Sequence, residues 1–206
     1  MRGQPGGRTA APDGLALVQA FINSVNVEFG PDEFADLAGF ARWLARNGWP
    51  EVQPDELDRR DAIALREALR ALAREHNGGP PATTARRTVA HISAGCPLVV
   101  GFAQDDGDPA LLPTQDGVRG VLATVLAAVT RSVVEGTWPR LKACHEHRCE
   151  WVFYDRSRNR SSRWCSMDIC GVRAKMRVYR QGRRQAEREP APEATAAAAT
   201  PRPGVS

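Results

Sequence analysis

Apolar residues recur at helical spacing through most of the first 136 positions. Between Asp32 and Asn47, Phe34, Leu37, Ala41 and Leu44 share one face and Gly48 supplies a stop, which predicts a helix. Pro54 opens a second helix that runs to about His76, with Leu57, Ile63, Leu65, Leu69 and Leu72 on its face, and Asn77-Gly78-Gly79-Pro80 ends it. A shorter helix follows Thr83, with Val89 and Ile92 inward. After Asp116, a suitable cap, Val118, Val121, Leu122, Val125, Leu126 and Val129 repeat at amphipathic spacing until Gly136 and Pro139 close the run. Leu15 to Val27 is apolar with a polar break at Asn23-Ser24 and fits helix or strand alike. Strand character is confined to Pro97–Ala103, which the turn-rich Asp105-Asp106-Gly107-Asp108-Pro109 reverses into a second strand at Ala110–Thr114. Residues 15–137 therefore read as a mainly helical domain with one β-hairpin, and the fold class as α+β.

Composition sets the limits of this picture. At 206 residues and 42% hydrophobic, the chain is long enough for one domain and a small satellite, and apolar enough to bury a core. Residues 1–14, rich in Gly, Pro and Arg, read as a flexible arm, and the Ala/Pro/Thr-rich 190–206 as a disordered tail. The most apolar stretch, Val118–Val134, is broken by Arg119, Thr124, Thr130 and Arg131, short of the roughly 18 apolar residues of a membrane span. Gln19 and Asn23 interrupt the apolar run after Leu15, which makes a poor signal peptide. The expectation is a soluble, cytoplasmic protein with no membrane partner.

Charge divides the chain unevenly. Residues 140–189 hold fourteen Lys and Arg against six Asp and Glu, a net of +8, while the whole chain is +4 and residues 1–139 carry −4. A basic segment beside an acidic one suggests a polyanion for the basic part.

The same segment, 138–189, holds four of the five cysteines: Cys144-x4-Cys149, fifteen residues, then Cys165-x4-Cys170. Two short pairs joined by a longer loop are the layout of a four-ligand zinc site, in which each pair forms a knuckle presenting two sulfurs to one ion. Four thiolates leave no open coordination position, so the role is structural, and metal binding would supply much of the folding free energy of so small a segment. Spacing alone also admits two disulfides or an iron site. His145 and His147 lie inside the first knuckle and are read as exposed loop residues, since four cysteines complete the set.

Between the pairs, Trp151–Tyr154 is a strand by composition, Asp155–Arg160 a polar turn, and Ser161–Trp164 the expected returning strand. Trp151, Phe153 and Trp164 are expected to form a miniature core beside the metal rather than a base-stacking surface. A helix follows Cys170, with Val172, Met176 and Tyr179 on one side and Arg173, Arg177, Arg180 and Arg184 in a separate stripe, Lys175 lying between them in the chain. With Arg156, Arg158, Arg160 and Arg163 on the turn, these residues are the candidate nucleic-acid contacts. The alternative is a solvated charged helix.

The run Leu141–Cys144, Cys149–Arg160 and Arg163–Lys175 resembles the CGNR zinc finger of bacteria over about 45 residues. That resemblance implies that Cys144, Cys149, Cys165 and Cys170 hold one structural Zn2+. The family's Cys-Gly-Asn-Arg reads Cys170-Gly171-Val172-Arg173 here. Val neither tolerates a left-handed backbone nor offers a polar contact, as Asn does. The preceding region is similar to the ABATE-type domain through Phe21-Ile22-Asn23-Ser24, through Phe40-x-x-Trp43-Leu44 and through the order hairpin, then helix. That family is described as stress-induced transcriptional regulators. The resemblance implies a bacterial DNA-binding regulator whose zinc module contacts DNA and whose helical domain senses a small-molecule effector or pairs as a homodimer. A second reading is an adaptor that binds RNA or an acidic protein. An enzyme using Asn23 or His91 finds no catalytic set in the spacing.

Overall fold

A computed structural model describes residues 4–102 and 107–186. The first three residues, Ala103, the Asp105-Asp106 start of the turn, residues 187–189 and the 190–206 tail lie outside them. The class is α+β. Helices α1 (Gly14–Ile22), α2 (Leu37–Arg46), α3 (Glu56–Glu75) and α4 (Thr83–Ala94) precede the hairpin β1 (Leu98–Phe102) and β2 (Pro109–Pro113). Helix α5 (Gly117–Val134), the hairpin β3 (Leu141–Ala143) and β4 (Val152–Tyr154), and α6 (Val172–Ala186) follow. Residues up to Val172 form one compact unit, and Arg173 onward belong to a second.

The ambiguous Leu15–Val27 run resolves as α1, which buries Leu15, Val18, Phe21 and Ile22. Helix α2 starts five residues later than the apolar spacing suggests. Asp32 is committed elsewhere, accepting from the Phe34 amide and from both terminal nitrogens of Arg66 at 2.6 and 2.8 Å. Asp36 then caps α2 through the Gly39 amide at 2.6 Å. A Cβ on Gly39 would stand 2.4 Å from the Glu33 carbonyl, so only glycine permits this entry. Phe21, Phe34, Phe40 and Trp43 meet with ring centroids 4.5–5.7 Å apart and form the aromatic centre of the core.

Helix α3 begins just after Pro54, where Asp55 and Asp58 form a reciprocal capping box. Its inner face differs from the expectation: Leu57 is 60% exposed, whereas Arg66 and Arg70 are buried. Burial drags the Arg70 guanidinium below its ordinary pKa, with Glu67 opposing. Arg70 is retained because it donates to Glu67, to the Ile22 carbonyl at 2.5 Å and to the Glu150 carbonyl at 3.1 Å. The hairpin β1–β2 is antiparallel with Leu98 opposite Pro113. Asp116 sits at the head of α5 but makes no capping bond with its side chain. By length and composition alone α5 could cross a membrane, contrary to the expectation that no window suffices. Its apolar side lies in the protein core with Val118, Val121, Leu122 and Val125 buried, as in a core helix.

The second hairpin is a correction. Strand β4 forms where composition places it, but its antiparallel partner is β3, with Leu141 opposite Tyr154 and Ala143 opposite Val152. Residues 161–164 are not a strand. Alternation explains the pairing: Leu141, Ala143, Val152 and Tyr154 enter the helical core, while Trp151 and Phe153 pack with the sulfurs. The helices seat this hairpin by bonding its backbone. Asn23 Nδ2 donates to the Val152 carbonyl at 2.7 Å and Asn23 Oδ1 accepts from the Val152 amide at 2.9 Å. Gln19 also donates to the Val152 carbonyl, His76 donates to Leu141, and Asn77 donates to the carbonyls of Ala143 and Arg163. Burial lowers the His76 pKa, with the Leu141 bond opposing. Residues 4–13 join in: Gln4 accepts from the Trp151 indole at 3.0 Å, and Arg8 donates to the carbonyls of Cys165 and Trp164 at 2.7 and 3.1 Å.

Asn23→Ala strips the Val152 amide of its partner inside the core. The expected destabilisation is about 2–3 kcal/mol, against roughly 0.5 kcal/mol or less for the exposed Leu57→Ala. Urea unfolding of the two zinc-loaded variants measures the difference.

Candidate metal centre

The first knuckle leaves β3 at Cys144 and returns to β4 at Cys149. Its turn is closed by the Cys149 and Glu150 amides, both donating to the Glu146 carbonyl at 2.8 and 3.1 Å. Glu150 adopts a left-handed backbone with φ 47°, an unusual state for a residue with a side chain. Its carboxylate is held by Arg74 at 2.6 Å and its carbonyl by Arg70, so α3 fixes it from both ends. The second knuckle is a π-helical turn, Met167–Gly171, in which the Ser166 hydroxyl accepts from the Ile169 amide.

These turns bring the sulfurs of Cys144, Cys149, Cys165 and Cys170 within 4.8 Å of one another, all buried. Cys149 and Cys165 sulfurs are 3.6 Å apart, and those of Cys165 and Cys170 3.7 Å. A tetrahedron with Zn–S bonds of ~2.3 Å has edges of ~3.8 Å, so the set matches a closed tetrathiolate and not a pair of disulfides. Hydrogen bonds to Cys144 and burial push the Cys149 and Cys165 thiols up, while thiol bonds from Cys149 and Cys165 pull Cys144 down. A dication among the four sulfurs favours the thiolate form of each. One structural zinc fits this site. His145 and His147 are exposed and outside the sulfur cluster.

A profile described as "CGNR zinc finger" matches residues 140–184. The ABATE profile, described as "Putative stress-induced transcription regulator", matches residues 15–136, more than half the chain. The chain belongs to the ABATE family. No curated protein matches it. In this ABATE protein the Phe21–Ser24 motif has a physical meaning: Phe21 and Ile22 fill the core, Asn23 bonds both polar atoms of Val152, and Ser24 accepts from Arg66. Both amide atoms of Asn23 are engaged by the Val152 backbone, and His91 is an exposed residue of α4. Val172, in the place of the CGNR asparagine, has φ −62° and ψ −43°, so no left-handed backbone is required there.

The candidate arginines fall into two groups. Arg156, Arg158, Arg160 and Arg163 are exposed on the loop after β4. Arg156 donates to the Ala10 carbonyl at 2.8 Å and stacks 5.3 Å from the Tyr154 ring, while Arg163 contacts His145 at 2.7 Å. Arg173, Lys175, Arg177, Arg180 and Arg184 lie on α6, exposed like Val172, Met176 and Tyr179. The residues that shape the loop escaped the sequence reading. Lys142, buried in β3, donates to Asp155 Oδ2 at 2.8 Å and to the Arg160 carbonyl at 2.5 Å. Asp155 also accepts from the Ser157 and Ser162 amides. Burial alone would raise the Asp155 carboxyl; the Lys142 ammonium and the Ser157 bonds overcome it and hold the pKa at about 2. The one available signal was Lys142 alternating with Leu141 and Ala143.

The purified chain is expected to carry one zinc by elemental analysis, and Cys165→Ser to lose it together with the intense visible bands that cobalt(II) gives in a tetrathiolate site. Lys142→Met leaves a buried carboxylate unpaired and should cost about 3 kcal/mol, with Lys142→Met/Asp155→Leu recovering part of the loss in urea unfolding. Because the Asp155 pKa is depressed, its contribution is complete above about pH 4 and disappears as pH falls towards 2.

Proposed function

We propose that this ABATE protein regulates transcription by binding duplex DNA through its basic zinc module, with the helical domain acting as the sensing or pairing part. The observation that carries the reading is the loop after β4. Its backbone is fixed from inside by Lys142 and Asp155, and its four arginines are exposed. Exposed guanidinium groups on a held backbone suit phosphate contacts, since little ordering remains to be done on binding. Helix α6 adds a second basic element: Val172–Ala186 contains six Lys and Arg and no acidic residue. Its composition favours a polyanion over a solvated face, because like charges at i,i+4 repel unless an anion lies against them. The family descriptions support a regulator. One finger offers few base contacts, so sequence specificity calls for a second copy or for help from the helical domain.

The test is filter binding of the full, zinc-loaded chain to duplex DNA across a salt series. Affinity should fall steeply with salt, and Arg158→Ala and Arg180→Ala should each reduce the logarithmic slope by about one and weaken binding several-fold. Undetectable or salt-insensitive binding sinks the proposal. A marked preference for single-stranded RNA favours the adaptor reading instead.

A further inference from the structure

Hairpin β1–β2 is built wholly from apolar residues, Leu-Val-Val-Gly-Phe against Pro-Ala-Leu-Leu-Pro, and no third strand joins it among the described residues. Leu98 packs against the helical core, while Val99, Val100 and Phe102 are 49%, 77% and 70% exposed. The two outer edges of the hairpin differ. The Thr114 amide donates to the Pro97 carbonyl, and antiparallel ladders alternate, so the bonded pairs that follow are Val99 with Leu112 and Gly101 with Ala110. The pairs between them turn their backbone groups outward. On β2 these residues are Pro109, Leu111 and Pro113, and the prolines offer no N–H, which blunts that edge. On β1 they are Leu98, Val100 and Phe102, each with an amide and a carbonyl directed away from β2. Within β1 no charge and no proline protects these groups, the devices by which exposed edges ordinarily avoid pairing.

We infer that β1 is where two copies of this chain pair, antiparallel and edge to edge, about a twofold axis at Val100. The outward positions are symmetric about that residue. Leu98 faces Phe102 of the second copy, Val100 faces its own counterpart, and the two strands exchange about six backbone hydrogen bonds. The side chains brought opposite each other are Leu with Phe and Val with Val, the apolar cross-strand pairs that stabilise a sheet. An edge without charge meets itself with no repulsion, whereas a surface such as the basic α6 cannot. Val99, Val100 and Phe102 expose roughly 300 Å2 per copy, so two copies bury roughly 600 Å2 of side chain. A standard stable interface buries about 1,200–2,000 Å2. The pair is therefore weak in solution, with a dissociation constant on the order of 100 µM, and tightens when both copies are held on one duplex. This gives the pairing role proposed for the helical domain its surface, and rests on that role.

The full zinc-loaded chain, 15N-labelled and without DNA, is followed by sedimentation equilibrium and amide hydrogen exchange from about 20 µM to about 1 mM, a range that brackets such an affinity. A monomer–dimer equilibrium is expected. The Leu98, Val100 and Phe102 amides should become protected as concentration rises, and those of Val99 and Gly101 should not change, because β2 already holds them. Val100→Lys sets two ammonium groups against each other and should weaken pairing about tenfold or more, and Phe102→Lys should do likewise. Val134→Lys, at a site on α5 that is 84% exposed, should leave pairing intact. A monomer at every concentration, or a dimer that ignores both β1 substitutions or protects other amides instead, overturns the inference. DNA affinity is measured separately. A monomer that binds duplex DNA overturns this inference alone. A dimer paired through β1 that ignores DNA supports it while removing the DNA reading.

Discussion

Strand β4 has to satisfy two cores at once, and most of the molecule is arranged around that constraint. Val152 and Tyr154 enter the helical core, while Trp151 and Phe153 enclose the sulfurs. A strand three residues long with one partner cannot be stable alone. Its free edge is therefore met by Asn23 and Gln19, side chains from a helix that bond the backbone much as a third strand would. The same solution recurs beside three of the four ligands. Asn77 bonds Ala143 just before Cys144, Arg70 bonds Glu150 just after Cys149, and Arg8 bonds Cys165 itself.

This arrangement changes what the metal stabilises. An isolated four-cysteine module depends on zinc for nearly all its folding free energy. Here the ligand-bearing backbone is also tied to α1, α3 and the segment before α1, so metal binding and helix packing stabilise one cooperative unit. Charge follows from the same coupling. Arg66 and Arg70 are drawn into the interior because α3 must reach both the end of α1 and the first knuckle, and buried guanidinium groups persist only where acceptors converge on them.

The parts legible from the sequence are those set by local rules. The helix opened by Pro54, the repeat of α5 and the paired cysteines state their roles within a few residues, and family likeness extended them. Miscast features were decided by distant partners. Helix α2 starts late because Asp32 is needed by Arg66, thirty-four positions away. The apolar spacing counted Leu57 inward because periodicity marks a face without saying where the neighbouring elements end. The polar turn Asp155–Arg160 points to Ser161–Trp164 as the partner of β4, yet only Leu141–Ala143 places alternate residues in the helical core. Asn23 stood out as a motif residue, but its purpose is visible only beside Val152, 129 positions later.

The excess of basic residues after residue 139 combines two kinds of charge that counting cannot separate. Lys142 is buried against Asp155, and Arg140 donates to the carbonyls of Asp155 and Ser157, so both are internal supports. Pairing Lys142 with Asp155 removes one charge of each sign, so the segment's net of +8 is unchanged and rests on its other basic residues. Each internal cation fixes the backbone from which Arg156, Arg158 and Arg160 project. A cation buried beneath a loop cannot touch a phosphate, yet it lowers the conformational entropy that the exposed arginines would lose on meeting one. Removing Lys142 should therefore loosen the backbone that carries Arg156, Arg158 and Arg160.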